Sequence, residues 1–258
     1  MTIEAPAAAD TRTYDIEFFW DPVCPFAWIT SRWIHKVMAQ REYAVRWRFI
    51  SLRLLNSHID YGAHFPPDYE HGHTAGLRML RVASAIRDDL GEEAMQDLYN
   101  AFGSSVFDVD RSEGGLDPGS EPRSWLGTTD HLQRVLTNLG HDPSYAAAAD
   151  DETRDAIVQA DTDAALEMTG RDVGTPIIAF HGKGGAETTA FFGPVISRVP
   201  DDEHAVELWD AVTTLAAFPS FAEMKRSLRE RPQLRSLGVN TGEAGKVEDW
   251  KAGSRRWD

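Results

Sequence analysis

The segment Trp20-Asp21-Pro22-Val23-Cys24-Pro25-Phe26-Ala27-Trp28 decides the fold, because an apolar alternation ends within it and a helical spacing begins. Upstream, Tyr14, Ile16, Phe18 and Trp20 alternate with Asp15 and Glu17, the period of a strand, which Asp21-Pro22 ends. From Pro25 to Gln40, Phe26, Ile29, Trp33 with Ile34, and Val37 recur at helical spacing. Pro25 suits the first helical position, where its missing N–H costs nothing and its φ is already helical. Val45, Trp47 and Phe49 then alternate with Arg46 and Arg48, giving a second strand. Strand, helix, strand is a βαβ unit, expected to have parallel strands and a right-handed crossover.

Cys24 is the only cysteine of the 258 residues. A helix that starts there points its free N–H groups and positive dipole end at the sulfur, favouring thiolate over thiol. The expectation is an accessible, acidic thiol. The competing reading, a lone cysteine as a small buried hydrophobe, suits an arbitrary position better than this one. One cysteine forbids an internal disulfide, in keeping with a reducing compartment.

With 42% hydrophobic and 26% charged residues the chain can bury a real core. The excess of 41 acidic over 26 basic residues, a net charge of −15, argues against nucleic acid and anionic membrane surfaces as partners. The opening MTIEAPAAAD lacks a basic region followed by an apolar stretch, and no long apolar run follows, so a cytoplasmic location is expected.

Residues 1–12 read as a loose arm, and residues 51–70, without a sustained period, as a long functional loop. A helical block follows. Leu77, Leu80, Ala83 and Ile86 share one face up to Gly91, and Met95, Leu98, Tyr99, Phe102 and Val106 share another behind Glu92-Glu93. Arg111 to Arg123 is a connector. Trp125, Thr128, Leu132, Val135, Leu136 and Leu139 predict a helix stopped at Gly140, and Ile157, Ala160, Ala164 and Met168 another stopped at Gly170. Thr175 to Phe180 and Thr189 to Gly193 predict an antiparallel hairpin across the loop Gly182-Lys183-Gly184-Gly185. A last helix places Ala205, Leu208, Trp209, Val212 and Leu215 on one face, and a short one is expected around Phe221, Met224 and Leu228. The tail from Pro232, with Trp250 and Trp257, is polar.

Two separated motifs carry a family resemblance. Asp21-Pro22-Val23-Cys24-Pro25-Phe26-Ala27-Trp28 resembles the active-site segment of the DsbA-like thioredoxin-fold family, and Val173-Gly174-Thr175-Pro176-Ile177 resembles its cis-proline loop. Within that family the chain is most similar to actinobacterial DsbA-like enzymes, including mycothiol-dependent nitroreductases. The resemblance implies an α/β thioredoxin fold with an all-helical insertion. Its domains would be 13–56 with 171–218 for the thioredoxin fold, 57–170 for the insertion, and 219–258 for a C-terminal helix and tail. Dithiol members end the first motif with a second cysteine, where this chain has Ala27.

Without a second cysteine, a mixed disulfide on Cys24 needs an outside thiol to release it. The expected activity is therefore that of a monothiol oxidoreductase. Cys24 would act on mixed disulfides or other electrophiles, and a low-molecular-weight thiol, mycothiol or glutathione, would regenerate it. Peroxide oxidation to a sulfenic acid with the same resolving thiol is an equal route. The substrate-binding candidates are Pro25, Phe26, Thr175, Pro176, Asn56 and Tyr61, with His58 and Tyr69 in the same loop. Trp28 is expected to pack in the core. Pro176, if cis, exposes the Thr175 backbone to an extended substrate.

His58, His64, His71 and His73 lack a recognised ligand spacing, so no metal is expected. The implied partners are a small thiol and an electrophilic small molecule or protein mixed disulfide, with the inserted helices closing over the site. Two rivals remain open. One is a thiol S-transferase or isomerase resembling the kappa class, which usually has serine at the Cys24 position. The other is a redox-silent binding or chaperone module.

Overall fold

The structure, a computed structural model, describes residues 13–65, 68–110, 123–182, 187–225, 229–230, 232–239 and 247–248. The loose arm, residues 111–122 of the connector, most of the glycine-rich loop, Leu228, Trp250 and Trp257 lie outside the described residues.

Strand β1 (Ile16–Trp20) and helix α1 (Pro25–Gln40) meet at Cys24, and β2 (Val45–Phe49) runs parallel to β1 in the register Phe18 opposite Trp47. The expected loop of residues 51–70 instead contains two single turns, α2 (Leu52–Leu55) and α3 (Tyr61–His64). Ser51 and Asp60 cap them by accepting backbone N–H groups. Four-residue helices show no hydrophobic period, so side-chain caps are their only sequence signal. Helices α4 (Tyr69–Leu90), α5 (Ala94–Phe107), α6 (Thr129–Leu139) and α7 (Asp155–Thr169) follow, with a 3₁₀ stretch at Pro143–Asp150. Thr128, expected inside α6, is its N-cap and accepts the His131 N–H. The chain then adds β3 (Ile177–Phe180), β4 (Thr189–Phe192) and α8 (Asp202–Ala216).

The main sheet has the order β2-β1-β3-β4, with β3 antiparallel to both β1 and β4. This is a thioredoxin fold with a helical insertion. Strand β1 is central and buried on both faces. Ile16, Phe18 and Trp20 join the large core beneath α1, α4, α5 and α8, while Phe19 joins Ile50, Leu55, Leu166 and Ile177 under α7. Trp33 fastens α8 to α1 by donating its indole N–H to the Ala205 carbonyl at 2.7 Å. Trp28 lies so close to α5 that a Cβ on Gly103 would fall 2.1 Å from its ring, so this crossing requires glycine.

Two expectations about apolar faces fail. Leu208 and Leu215 are 46% and 37% exposed, because α8 turns Ala205, Trp209 and Ala216 inward. Residues 221–225 form no helix, and Met224 is 78% exposed.

A buried ion network ties the insertion to the sheet. Asp161 of α7 accepts from Arg48 at 2.7 Å, from Arg87 at 2.6 Å and from the Phe49 N–H at 3.2 Å. Burial works against its charge, but Arg87 and Arg48 outweigh it and hold the carboxyl below the usual range. Asp161→Ala leaves the half-buried Arg87 without its carboxylate and Arg48 with Glu17 alone, and is expected to cost about 3 kcal/mol of stability. Urea unfolding measures it; a loss below about 1 kcal/mol would mean that the network is solvated.

Candidate active site

Cys24 caps α1. Its backbone is extended, Pro25 takes the first helical position, and Sγ accepts the Ala27 N–H at 3.4 Å. The sulfur also lies 3.4 Å from the Thr175 carbonyl, to which the thiol donates, and the Thr175–Pro176 peptide is cis. Residues 151 positions apart thus meet at the sulfur. Ala27 is fully buried one turn into the helix, and no second sulfur stands there.

The expectation of an accessible, acidic thiol is overturned. Cys24 is only 5% exposed, and burial pushes its thiol up to about 12. The N–H groups of Ala27 and Phe26 pull the other way, and the Asp21 charge adds to the rise. The helix N-terminus acts in the expected direction, but removing water from the sulfur outweighs it.

Asp21 is the group that sequence reasoning missed. It is fully buried; one carboxylate oxygen accepts the Val23 N–H at 2.9 Å and the other the Leu52 N–H at 2.7 Å. Burial raises this carboxyl to about 7 against those two donors. In the sequence Asp21 served only to end a strand, yet its segment, Trp20 to Trp28, contains no basic residue that would pair with it. Helix α4 presses on the same loop: a Cβ on Gly76 would lie 2.8 Å from Asp21 Oδ1 and 2.9 Å from Val23 Cγ2.

The other candidates divide. Phe26 is half-buried against the core, and Trp28, 2% exposed, packs as expected, edge-on to Tyr99 and beneath Arg32. Asn56 is fully buried and donates its amide to the Leu52 carbonyl, closing α2, so a ligand cannot reach it without rearrangement.

Tyr61 is buried as well, its hydroxyl 3.0 Å from His73 Nδ1 and its ring beneath Arg53. Phe65 and Tyr69 stack beside that pair, and Tyr69, 46% exposed, lies within electrostatic reach of Cys24. His71 meets the Arg123 carbonyl instead, at 2.9 Å. Thr175 keeps its hydroxyl buried and unpartnered beside the sulfur's acceptor. Among the described residues no cluster of His, Cys, Asp or Glu is placed to hold a metal ion. None of the described helices is long and apolar enough to cross a membrane.

The family model described as "Rv2466c-like: Mycothiol-dependent nitroreductase Rv2466c" matches residues 23–226. The Mycobacterium tuberculosis protein Rv2286c is 28% identical over 212 residues, 82% of this chain and 81% of that one. Among solved structures, the cytosolic disulfide reductase DsbM from Pseudomonas aeruginosa has 13% identity and a TM-score of 0.46. It covers 77% of this chain and 98% of its own. The probable DsbA oxidoreductase SCO1869 from Streptomyces coelicolor has 15% identity and a TM-score of 0.45, covering 83% of this chain and 94% of its own.

Proposed function

The chain belongs to the Rv2466c-like family of mycothiol-dependent nitroreductases, and from that premise we propose that it is a cytoplasmic monothiol oxidoreductase acting through Cys24. The observation that carries the reading is the sulfur at the N-terminus of α1, fixed between the Ala27 N–H and the Thr175 carbonyl, with Ala27 where a resolving thiol would stand. In the reaction, Cys24 gives its proton to solvent and attacks the small-thiol sulfur of a mixed disulfide. A new Cys24 disulfide forms, the substrate disulfide breaks, and the other half leaves as thiolate. A second molecule of the small thiol, mycothiol ahead of glutathione given the family, then attacks the Cys24 disulfide. That step frees Cys24 and releases the oxidised small thiol. Substrate approach requires the side chains around a 5% exposed sulfur to shift. Phe26, Tyr61, Tyr69 and the Thr175–Pro176 backbone are the groups that would meet it.

One observation favours a second reading. The buried thiol keeps its proton as a hydrogen-bond donor, now directed at the Thr175 carbonyl, and turned from it toward a bound thiolate it would serve a thiol S-transferase. Steady-state kinetics with mycothiol and a small mixed disulfide separate the two. The oxidoreductase gives parallel double-reciprocal lines, because a covalent Cys24 intermediate divides the reaction. Intersecting lines, from both substrates binding before any bond changes, favour the transferase.

A further inference from the structure

We propose that Asp21 is a positioning residue for Cys24: it clamps the sulfur-bearing loop onto α2 and, as a buried carboxylate without a cation, sets the pH at which Cys24 ionises. This deepens the reading of Cys24 as a reactive sulfur and rests on it. The clamp is visible in the two N–H donors, one from the loop at Val23 and one from the first residue of α2 at Leu52. Gly76 of α4 closes the third side with no room for a side chain. Among the described residues Asp21 forms no ion pair, and a buried carboxylate left so is costly to the fold. A neutral asparagine or an apolar residue would avoid that cost, so the charge points to a role outside stability.

The charged and titratable groups that interact with Asp21, with Cys24 or with the tyrosines beside them are Arg32 of α1, Arg53 of α2, Tyr61 of α3, Tyr69, Glu70 and His73 of α4, and Tyr99 of α5. Tyr61 and Tyr99 both feel the Asp21 charge. Neither tyrosine is ionised near neutrality, since burial raises both hydroxyls. Arg53 is drawn to Glu70, at 3.0 Å. Cys24 and Asp21 are thus the pair whose protonation states compete: with Asp21 charged, a second negative charge on the sulfur is opposed.

The test is the rate of Cys24 alkylation by iodoacetamide from mildly acid to alkaline pH, in the wild type and in Asp21→Asn. No other cysteine reports. The wild-type profile should bend near pH 7, where Asp21 titrates. Asp21→Asn should lose the bend and react faster at neutral pH, about tenfold for each unit by which the thiol is lowered. A clamp without an electrostatic role changes thermal stability but leaves the position of the profile alone. A folded Asp21→Asn protein whose profile overlays the wild type overturns the proposal. If that variant does not fold, the wild-type profile decides, and a single ionisation without a bend overturns it. Failure of Cys24 to react at any pH in either protein would instead contradict the reading of Cys24 as a reactive sulfur.

Discussion

Cys24→Ser is expected to fold normally and to lose thiol-dependent turnover, by a factor on the order of a thousand or more, as removal of a covalent nucleophile does. The fold survives because serine is a favoured N-cap whose oxygen accepts the Ala27 N–H that the sulfur now accepts. Melting temperature should therefore stay within a few degrees of the wild type. Chemistry is lost because a hydroxyl cannot form the mixed disulfide that the small thiol resolves. A folded Cys24→Ser protein with wild-type turnover would move the reaction onto the bound thiol and favour the transferase reading. The same assay covers the silent-module rival: a wild type without turnover of any mixed disulfide supports it.

The second large effect is expected from Ala27→Cys. Positions 24 and 27 stand one turn apart at the start of α1, with the Ala27 N–H already on Cys24 Sγ, so a cysteine side chain at 27 lies beside the existing sulfur. Mild oxidation should consume both thiols and give a protein two hydrogens lighter. Turnover with a dithiol reductant should then no longer require mycothiol, because the mixed disulfide resolves internally. The added sulfur enters a fully buried position, so the reduced variant should lose about 1–3 kcal/mol of stability. Two thiols still titratable after oxidation would mean that the start of α1 is wrongly placed.

The fold was legible where long periods and punctuation coincide. Alternation up to Trp20, Pro25 at the first helical position and the spacing to Val37 placed β1 and α1, and Arg46 and Arg48 between apolar residues placed β2. Residues 51–65 were illegible, because α2 and α3 are too short to show a period and are held by caps and by contact with α4. On α8, Leu208 and Leu215 satisfy helical spacing, yet spacing alone does not say which of two adjoining apolar stripes meets the sheet.

At the site, the position of Cys24 could be read and its environment could not. Part of its surroundings comes from distant segments: the Thr175 carbonyl before β3 receives the thiol, and Gly76 of α4 presses on the Asp21 and Val23 side chains of its loop. Their proximity is a property of the packed fold. The local signal, a helix N-terminus, was real, but the removal of water from a sulfur that is 5% exposed outweighs it. Asp21 was in plain view in the motif, but its significance lies in the burial and the missing counter-charge, which only three-dimensional contacts display.

The most direct measurement is the intact mass of the protein after incubation with oxidised mycothiol. The account predicts one mycothiol added per chain, absent in Cys24→Ser and removed by reduced mycothiol with recovery of one titratable thiol. An unmodified mass under conditions where unfolded protein is fully labelled would contradict a reactive Cys24, and with it the monothiol mechanism.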